Sequence, residues 1–276
     1  MARIALYQAR TGIDPAANAR DLVAAVGDAA AGGAAILFTP EMSGLLDRDR
    51  ARSAAHLRTE AEDEVLASVR SAAAAAGIWV HLGSLAIRGE DGDGRLRNRG
   101  YLLTRTGDLS TFYDKIHLFD VDLATGESWR ESAVYAPGGR TVVADSPAGR
   151  LGLSICYDLR FPDLYRALTD AGAQVLSIPA AFTVPTGRAH WHVLLRARAI
   201  EAGVFVVAAA QSGRHEDGRE TFGHSLVIGP WGEVLLDMGE GQGLAFAEID
   251  LAEIEAVRAR LPAIRHRRPI PPPERA

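Results

Sequence analysis

Short apolar runs with a period of two alternate with longer runs of period three to four, a pattern that predicts strands interleaved with helices. Arg3 to Ala9 alternates like a strand, and Asp14-Pro15 opens an Ala/Leu/Val-rich helix reaching about Ala31. The apolar run Ala35 to Thr39 follows and stops at Pro40-Glu41-Met42. A second Ala-rich helix spans about Glu60 to Ala76 with Gly77 as its cap. Ile78 to Ile87 and Gly100 to Arg105 read as strands joined by the polar turn Gly89 to Arg95.

The second half repeats the alternation. Arg150 to Cys156 reads as a strand, Phe161 to Ala171 as a helix, Val175 to Pro179 as a strand and Thr186 to Ala202 as a helix. Val204 to Gln211, His224 to Gly229 and Leu244 to Ile249 are further strands, and Leu251 to Leu261 is a last helix. Fully apolar strands such as Val204–Ala210 imply a sheet buried on both faces. No linker and no fixed-period repeat interrupts the pattern. It predicts one α/β domain over residues 1–261, followed by an extended Pro/Arg-rich tail over 262–276.

Composition narrows the picture. With 276 residues, 47% of them hydrophobic, the chain is long enough for a large core. A net charge of −5 without a long basic stretch argues against nucleic acid as a partner. Met1 to Ala9 runs directly into a strand, so no signal peptide is read, and no apolar stretch reaches membrane-spanning length. One cysteine permits no intrachain disulfide. The expectation is a cytoplasmic protein.

That cysteine is the first candidate for chemistry. Cys156 stands where a strand meets a turn, with Pro162 near the start of the next helix, a setting that presents a nucleophile at a strand's carboxyl end. A helix amino end nearby would favour its thiolate. A lone cysteine is also commonly a small buried hydrophobe. Glu41 likewise follows an apolar strand, where α/β sheets keep their sites, although a loop glutamate is ordinarily solvated. Lys115 lies within Phe112-Tyr113-Asp114-Lys115-Ile116-His117-Leu118-Phe119, either snorkelling from an apolar run or buried for electrostatic work.

Together these segments resemble the nitrilase (carbon–nitrogen hydrolase) superfamily. The resemblance rests on Glu41 after Phe-Thr-Pro, Lys115 in Tyr-Asp-Lys-Ile-His-Leu-Phe-Asp and Cys156 in Ile-Cys-Tyr-Asp-Leu-Arg-Phe-Pro, and it extends roughly from Arg3 to Pro269. Phe182-Thr183-Val184-Pro185-Thr186-Gly187-Arg188-Ala189-His190-Trp191, Gln211-Ser212-Gly213-Arg214-His215 and Gly229-Pro230-Trp231-Gly232 resemble the branch of deaminated-glutathione amidases and ω-amidases.

The resemblance implies a four-layer α-β-β-α sandwich and a Glu41–Lys115–Cys156 triad. It adds a second glutamate, placed at Glu131 by its distance to Pro137-Gly138, with Glu127 as the rival. It further implies an oxyanion hole of Lys115 and the Tyr157 N–H, and a substrate pocket containing Phe182 and Thr186. Arg160 is the first choice for the substrate carboxylate; its alternative is a helix-start ion pair with Asp158 or Asp163. The implied reaction hydrolyses a linear amide to acid plus ammonia through a thioester, with deaminated glutathione first and 2-oxoglutaramate or 2-oxosuccinamate second. A nitrile hydrolase fits the Thr-Gly-Arg-Ala-His-Trp segment less well. A catalytically silent binding partner would lack a triad residue. A homodimer or larger homo-oligomer is implied, built through helices such as Thr186–Ala202 with the tail from Pro262 crossing over.

No cofactor or metal is expected. Asp91-Gly92-Asp93-Gly94 lacks the closing glutamate of a calcium loop. His190 and His192, two apart on a helix, face different ways and make a poor metal pair. His117 and His224 either line the site or brace it.

Overall fold

The computed structural model describes residues 1–89, 92–122, 126 and 128–275. The first half runs β1 (Ala2–Gln8), α1 (Pro15–Ala31), β2 (Ile36–Phe38), α2 (Arg50–Ala54), α3 (Glu64–Ala76), β3 (Trp79–Arg88), β4 (Leu96–Leu103) and β5 (Leu109–Asp114). A small hairpin, β6 (Asp120–Asp122) and β7 (Ser128–Arg130), leads to the second half. There follow β8 (Val143–Ser146), β9 (Gly149–Leu153), α4 (Pro162–Asp170), β10 (Val175–Ser177), α5 (Val184–Ala202) and β11 (Phe205–Ala208). The hairpin β12 (Ser212–Arg214) and β13 (Glu220–Phe222) precedes β14 (Leu226–Ile228), β15 (Val234–Asp237), β16 (Gly243–Ile249) and α6 (Ala252–Arg260).

Two six-stranded sheets result, in the orders β16-β1-β2-β3-β4-β5 and β15-β14-β11-β10-β9-β8. Each has three parallel strands at its centre, β1-β2-β3 or β9-β10-β11, with antiparallel strands outside them. The period of two along each strand divides its side chains between layers. Ile4, Leu6, Ile36 and Phe38 join the core containing β9, β10 and β11. Ala5 and Leu37 face the other way, into a second core with Leu22 and Val26 of α1 and Val69 of α3. On the far side, Leu164 and Tyr165 of α4 and Trp191 and Leu195 of α5 cover the second sheet. This is the α-β-β-α sandwich.

Several boundaries differ from the sequence reading for local reasons. Asp63 caps α3 by accepting from Leu66 N–H at 2.8 Å, so Glu60–Glu62 is a separate 3-10 turn. β9 stops at Leu153, short of Cys156. The strand β5 leading to Lys115 and the hairpin β12–β13 carried no clear alternation. The tail is not wholly extended: Ala263–His266 forms a 3-10 turn, and Arg267 pairs with Asp170.

β2 of the first sheet and β9 and β10 of the second end at the same edge of the sandwich. Their carboxyl ends carry Glu41, Cys156 and Ala181, which brings together groups more than a hundred residues apart in sequence.

Candidate active site

The segment after β9 stays extended, with Ser154 N–H donating to Ser177 O at 3.2 Å and Cys156 N–H to Pro179 O at 2.9 Å. Cys156 itself has φ +50°, a left-handed conformation that costs a non-glycine residue roughly 1–3 kcal/mol and recurs where a nucleophile is thrust out of a strand. The 3-10 turn Cys156–Arg160 begins there. Asp158, wholly buried, holds it: its carboxylate accepts from Ile155 N–H (2.9 Å), Tyr113 OH (2.7 Å) and His117 N–H (3.0 Å), and meets His117 Nδ1 at 2.7 Å. His117 stacks on Phe161 at 3.6 Å, so it braces the turn.

Glu41 is buried at the end of β2, and its backbone is pinned from three sides. Gln211 Nε2 donates to Glu41 O at 3.0 Å, Met42 N–H to Ser84 Oγ at 2.9 Å, and Ser43 Oγ to Pro40 O at 2.7 Å. One carboxylate oxygen, Oε2, accepts from Ala181 N–H at 3.0 Å. The other, Oε1, accepts from Lys115 Nζ and Asn98 Nδ2, each at 2.9 Å.

Lys115 follows β5 and is 2% exposed, so it is buried rather than snorkelling. Its ammonium lies between Glu41 and Glu131, whose Oε2 it meets at 2.9 Å. Glu131 also accepts from Phe119 N–H (2.6 Å) and Asn98 Nδ2 (3.2 Å). Glu127, the rival for the second glutamate, lies outside the described residues, as does Asp91 of the polar turn. Burial alone would lower the Lys115 pKa, but the charges of Glu131 and Glu41 hold it well above the ordinary lysine range. The amine is therefore a cation throughout the physiological range.

The cysteine is where the local prediction fails. Burial, then the charge of Glu41, pushes the Cys156 thiol well above its ordinary pKa, and Lys115 only partly opposes this. The turn's amino end does not produce a resting thiolate. The thiol therefore rests protonated, with the Glu41 carboxylate beside it.

A cavity of about 710 Å³ opens over these groups, lined by Cys156, Glu41, Lys115, Glu131, Tyr157, Arg160, Phe182 and Thr186 among others. All the predicted site residues therefore share one cleft. Arg160 makes no ion pair among the described residues; it lies over the Tyr157 and Phe182 rings at 5.8 and 5.5 Å and meets His190 Nδ1 at 3.2 Å. Phe182 is buried against Trp191 with ring centroids 4.7 Å apart, and Thr186 bonds Thr183.

The sequence profile of the carbon–nitrogen hydrolase family matches residues 3–259. The chain belongs to the carbon–nitrogen hydrolase family. It is 40% identical over 269 residues to a human protein called deaminated glutathione amidase, covering 96% of this chain and 82% of the other. The C. elegans NitFhit protein superposes with a TM-score of 0.89 at 35% identity, covering 97% of this hydrolase and 65% of that chain. This carbon–nitrogen hydrolase therefore spans about two thirds of that relative. An amidase of Nesterenkonia sp. AN1, a glutamate-to-glutamine mutant carrying acrylamide on its active-site cysteine, superposes with a TM-score of 0.78 at 28% identity. It covers 95% of this chain and 98% of that one.

The family makes the chain an amidase of the nitrilase superfamily. Three residues of this hydrolase escaped the sequence reading: Asn98, which spans both glutamates, Asp158, which holds the turn at Cys156, and Gln211, which holds Glu41. Gln211 stood in a quoted motif without a role, and Asp158 was read only as a possible partner of Arg160. Asn98 stands in Arg97-Asn98-Arg99-Gly100, and only its inward place on β4 distinguishes it from a surface asparagine.

Proposed function

We propose that Cys156 is the nucleophile of a linear amidase, with Glu41 as base and acid, Lys115 as electrostatic stabiliser and Glu131 as the residue that holds Lys115. The observation that carries this reading is one buried thiol, one buried ammonium, one buried carboxylate and a second, part-buried carboxylate in a single cleft. Glu41 takes the thiol proton and the thiolate attacks the amide carbon. The resulting oxyanion accepts from Lys115 Nζ and the Tyr157 N–H; one such donor is typically worth about 3–4 kcal/mol of barrier. Glu41 returns the proton to the departing nitrogen, leaving a thioester on Cys156. A water deprotonated by glutamate attacks the thioester, the acid leaves, and the thiol regains its proton.

Deaminated glutathione is the favoured substrate. Similarity to the human amidase supports it, and so does the cavity, which is roomier than a five-carbon oxo-amide requires. Arg160, free of any carboxylate among the described residues, is positioned to take a substrate carboxylate, with Phe182 and Thr186 shaping the wall. Both amides of that substrate are secondary, so its leaving group is cysteinylglycine. The expectation of ammonia therefore holds only for primary amides such as 2-oxoglutaramate, the second candidate. Both substrates yield 2-oxoglutarate, which gives a common readout.

The test is 2-oxoglutarate release by wild type and Cys156→Ala from each substrate, with ammonia release from a simple nitrile as a third assay. Faster release from deaminated glutathione, lost in the variant, is expected. Preference for 2-oxoglutaramate would overturn the substrate alone, and full activity of Cys156→Ala would overturn the mechanism.

We also infer a cytoplasmic homo-oligomer. Its support is the apolar surface of Val193 and Ile200 on α5 with neighbouring Trp231 and Leu261, all more than 40% exposed. Light scattering should give a mass at least twice the 29.4 kDa chain.

A further inference from the structure

Away from the cleft, three polar side chains from separate elements converge on one point. His192 lies on α5, His224 in the connection between β13 and β14, and Asp237 at the end of β15. His192 Nε2 is 3.0 Å from Asp237 Oδ2, and His224 Nδ1 is 2.9 Å from Asp237 Oδ1. One ligand atom from each residue lies within 4.8 Å of the other two. None of the three lines the catalytic cavity. The pair dismissed from sequence, His190 and His192, does diverge: His190 turns to Arg160 and His192 to this cluster.

The ligand atoms are held from behind. His224 adopts φ +52°, unusual for a residue with a side chain and worth a functional question. Its carbonyl accepts from Trp191 Nε1 at 2.7 Å, and its N–H donates to Gly239 O at 2.8 Å. Its ring stacks on Phe222 at 4.4 Å. Asp237 Oδ1 also accepts from Gly239 N–H at 2.9 Å. Such outer contacts orient metal ligands. The three side chains are between 23% and 35% exposed, so water has access to a remaining coordination position.

We propose that His192, His224 and Asp237 bind a divalent transition-metal ion, zinc being the best match. Two imidazoles and one carboxylate favour such an ion over magnesium or calcium, which prefer oxygen donors throughout. Zinc at about 2.0–2.1 Å from each ligand sets tetrahedral donors roughly 3.3–3.4 Å apart, so the His–Asp distances of 3.0 and 2.9 Å open slightly, and the two imidazole nitrogens, within 4.8 Å of each other, take up the same spacing. Each ring then carries its proton on the nitrogen away from the metal. The ion would fasten α5 to the β13–β14 connection. Phe222 N–H donates to Phe182 O at 2.9 Å, so the same tie backs the wall of the substrate cleft.

The test uses the full chain carrying Cys156→Ser, which removes the thiol as a competing ligand. Chelator-stripped protein is dialysed against zinc at neutral pH, and bound metal is measured alongside melting temperature. One zinc per chain with a raised melting temperature is expected. His192→Gln and Asp237→Asn should each weaken binding by more than the ~10–100-fold that loss of an outer-shell partner costs, while His190→Gln leaves it unchanged. His192 is partly exposed on a helix surface, so its replacement keeps the fold, which circular dichroism checks. No retained zinc, or zinc retained equally in both ligand variants, overturns the site.

Discussion

Asn98 illustrates how a single side chain sets the electrostatics of this cleft. Its Nδ2 donates to Glu41 and Glu131, so with Lys115 it offsets a buried and a part-buried carboxylate side by side. Hydrogen bonds to charged groups contribute roughly 1.5–3 kcal/mol each. Asn98→Leu keeps the branched shape and removes both donors. It should lower kcat by about 10- to 100-fold while changing KM less, as steady-state kinetics on a cleaved amide would show. Lys115 has a further signature: it is the sole lysine beside twenty-nine arginines. A compact ammonium fits between two carboxylates where a planar guanidinium does not. Cys156, Glu41 and Lys115 were legible because the short motifs around them, taken in order, resemble those of the family. Asn98 was not, because a period of two says which face a residue takes but not what waits opposite it.

At the scale of elements, the site depends on how closely β3 approaches the segment after β2. A Cβ on Gly83 would lie 2.1 Å from Thr39 O and 2.4 Å from Pro40 O, immediately before Glu41. Gly100 on β4 is as tightly placed, against Gly83 O at 2.6 Å. Gly83→Ala must push the Glu41 segment outward. Overpacking of this kind costs about 1–3 kcal/mol, which denaturant midpoints would register, and activity should fall further than stability alone explains. Nothing in the run His81-Leu82-Gly83-Ser84-Leu85 announced this; an isolated glycine in a strand signals only a bulge or a close approach. The partner is known only once β2 and β3 lie side by side.

For the whole molecule, His81 couples the two sheets to pH. It projects from β3 to Ser177 Oγ of β10 at 3.1 Å, and burial lowers its pKa from 6.5 to about 4. Between those values the unfolded chain binds a proton that the folded chain refuses, so acidification favours unfolding. Stability should fall by up to about 3 kcal/mol as pH drops through this window, and the loss is absent above the unfolded value. Chemical denaturation of wild type and His81→Leu across that range should show the extra slope in wild type alone. Equal slopes would mean that His81 is not kept neutral by the fold.

Sequence alone determined the alternation of strands and helices, the burial of the central strands and the segments that carry Glu41, Lys115 and Cys156, because these follow from local periodicity and short motifs. Tertiary structure decided the rest. Glu41, Lys115, Glu131 and Cys156 become neighbours only because parallel strands from both halves end together and β5 delivers Lys115 alongside them. The raised thiol follows from burial beside a second charge, and His192, His224 and Asp237 meet only across three elements. Desolvation and charge pairing depend on distances through space, and a linear pattern carries those only once the sheets have packed.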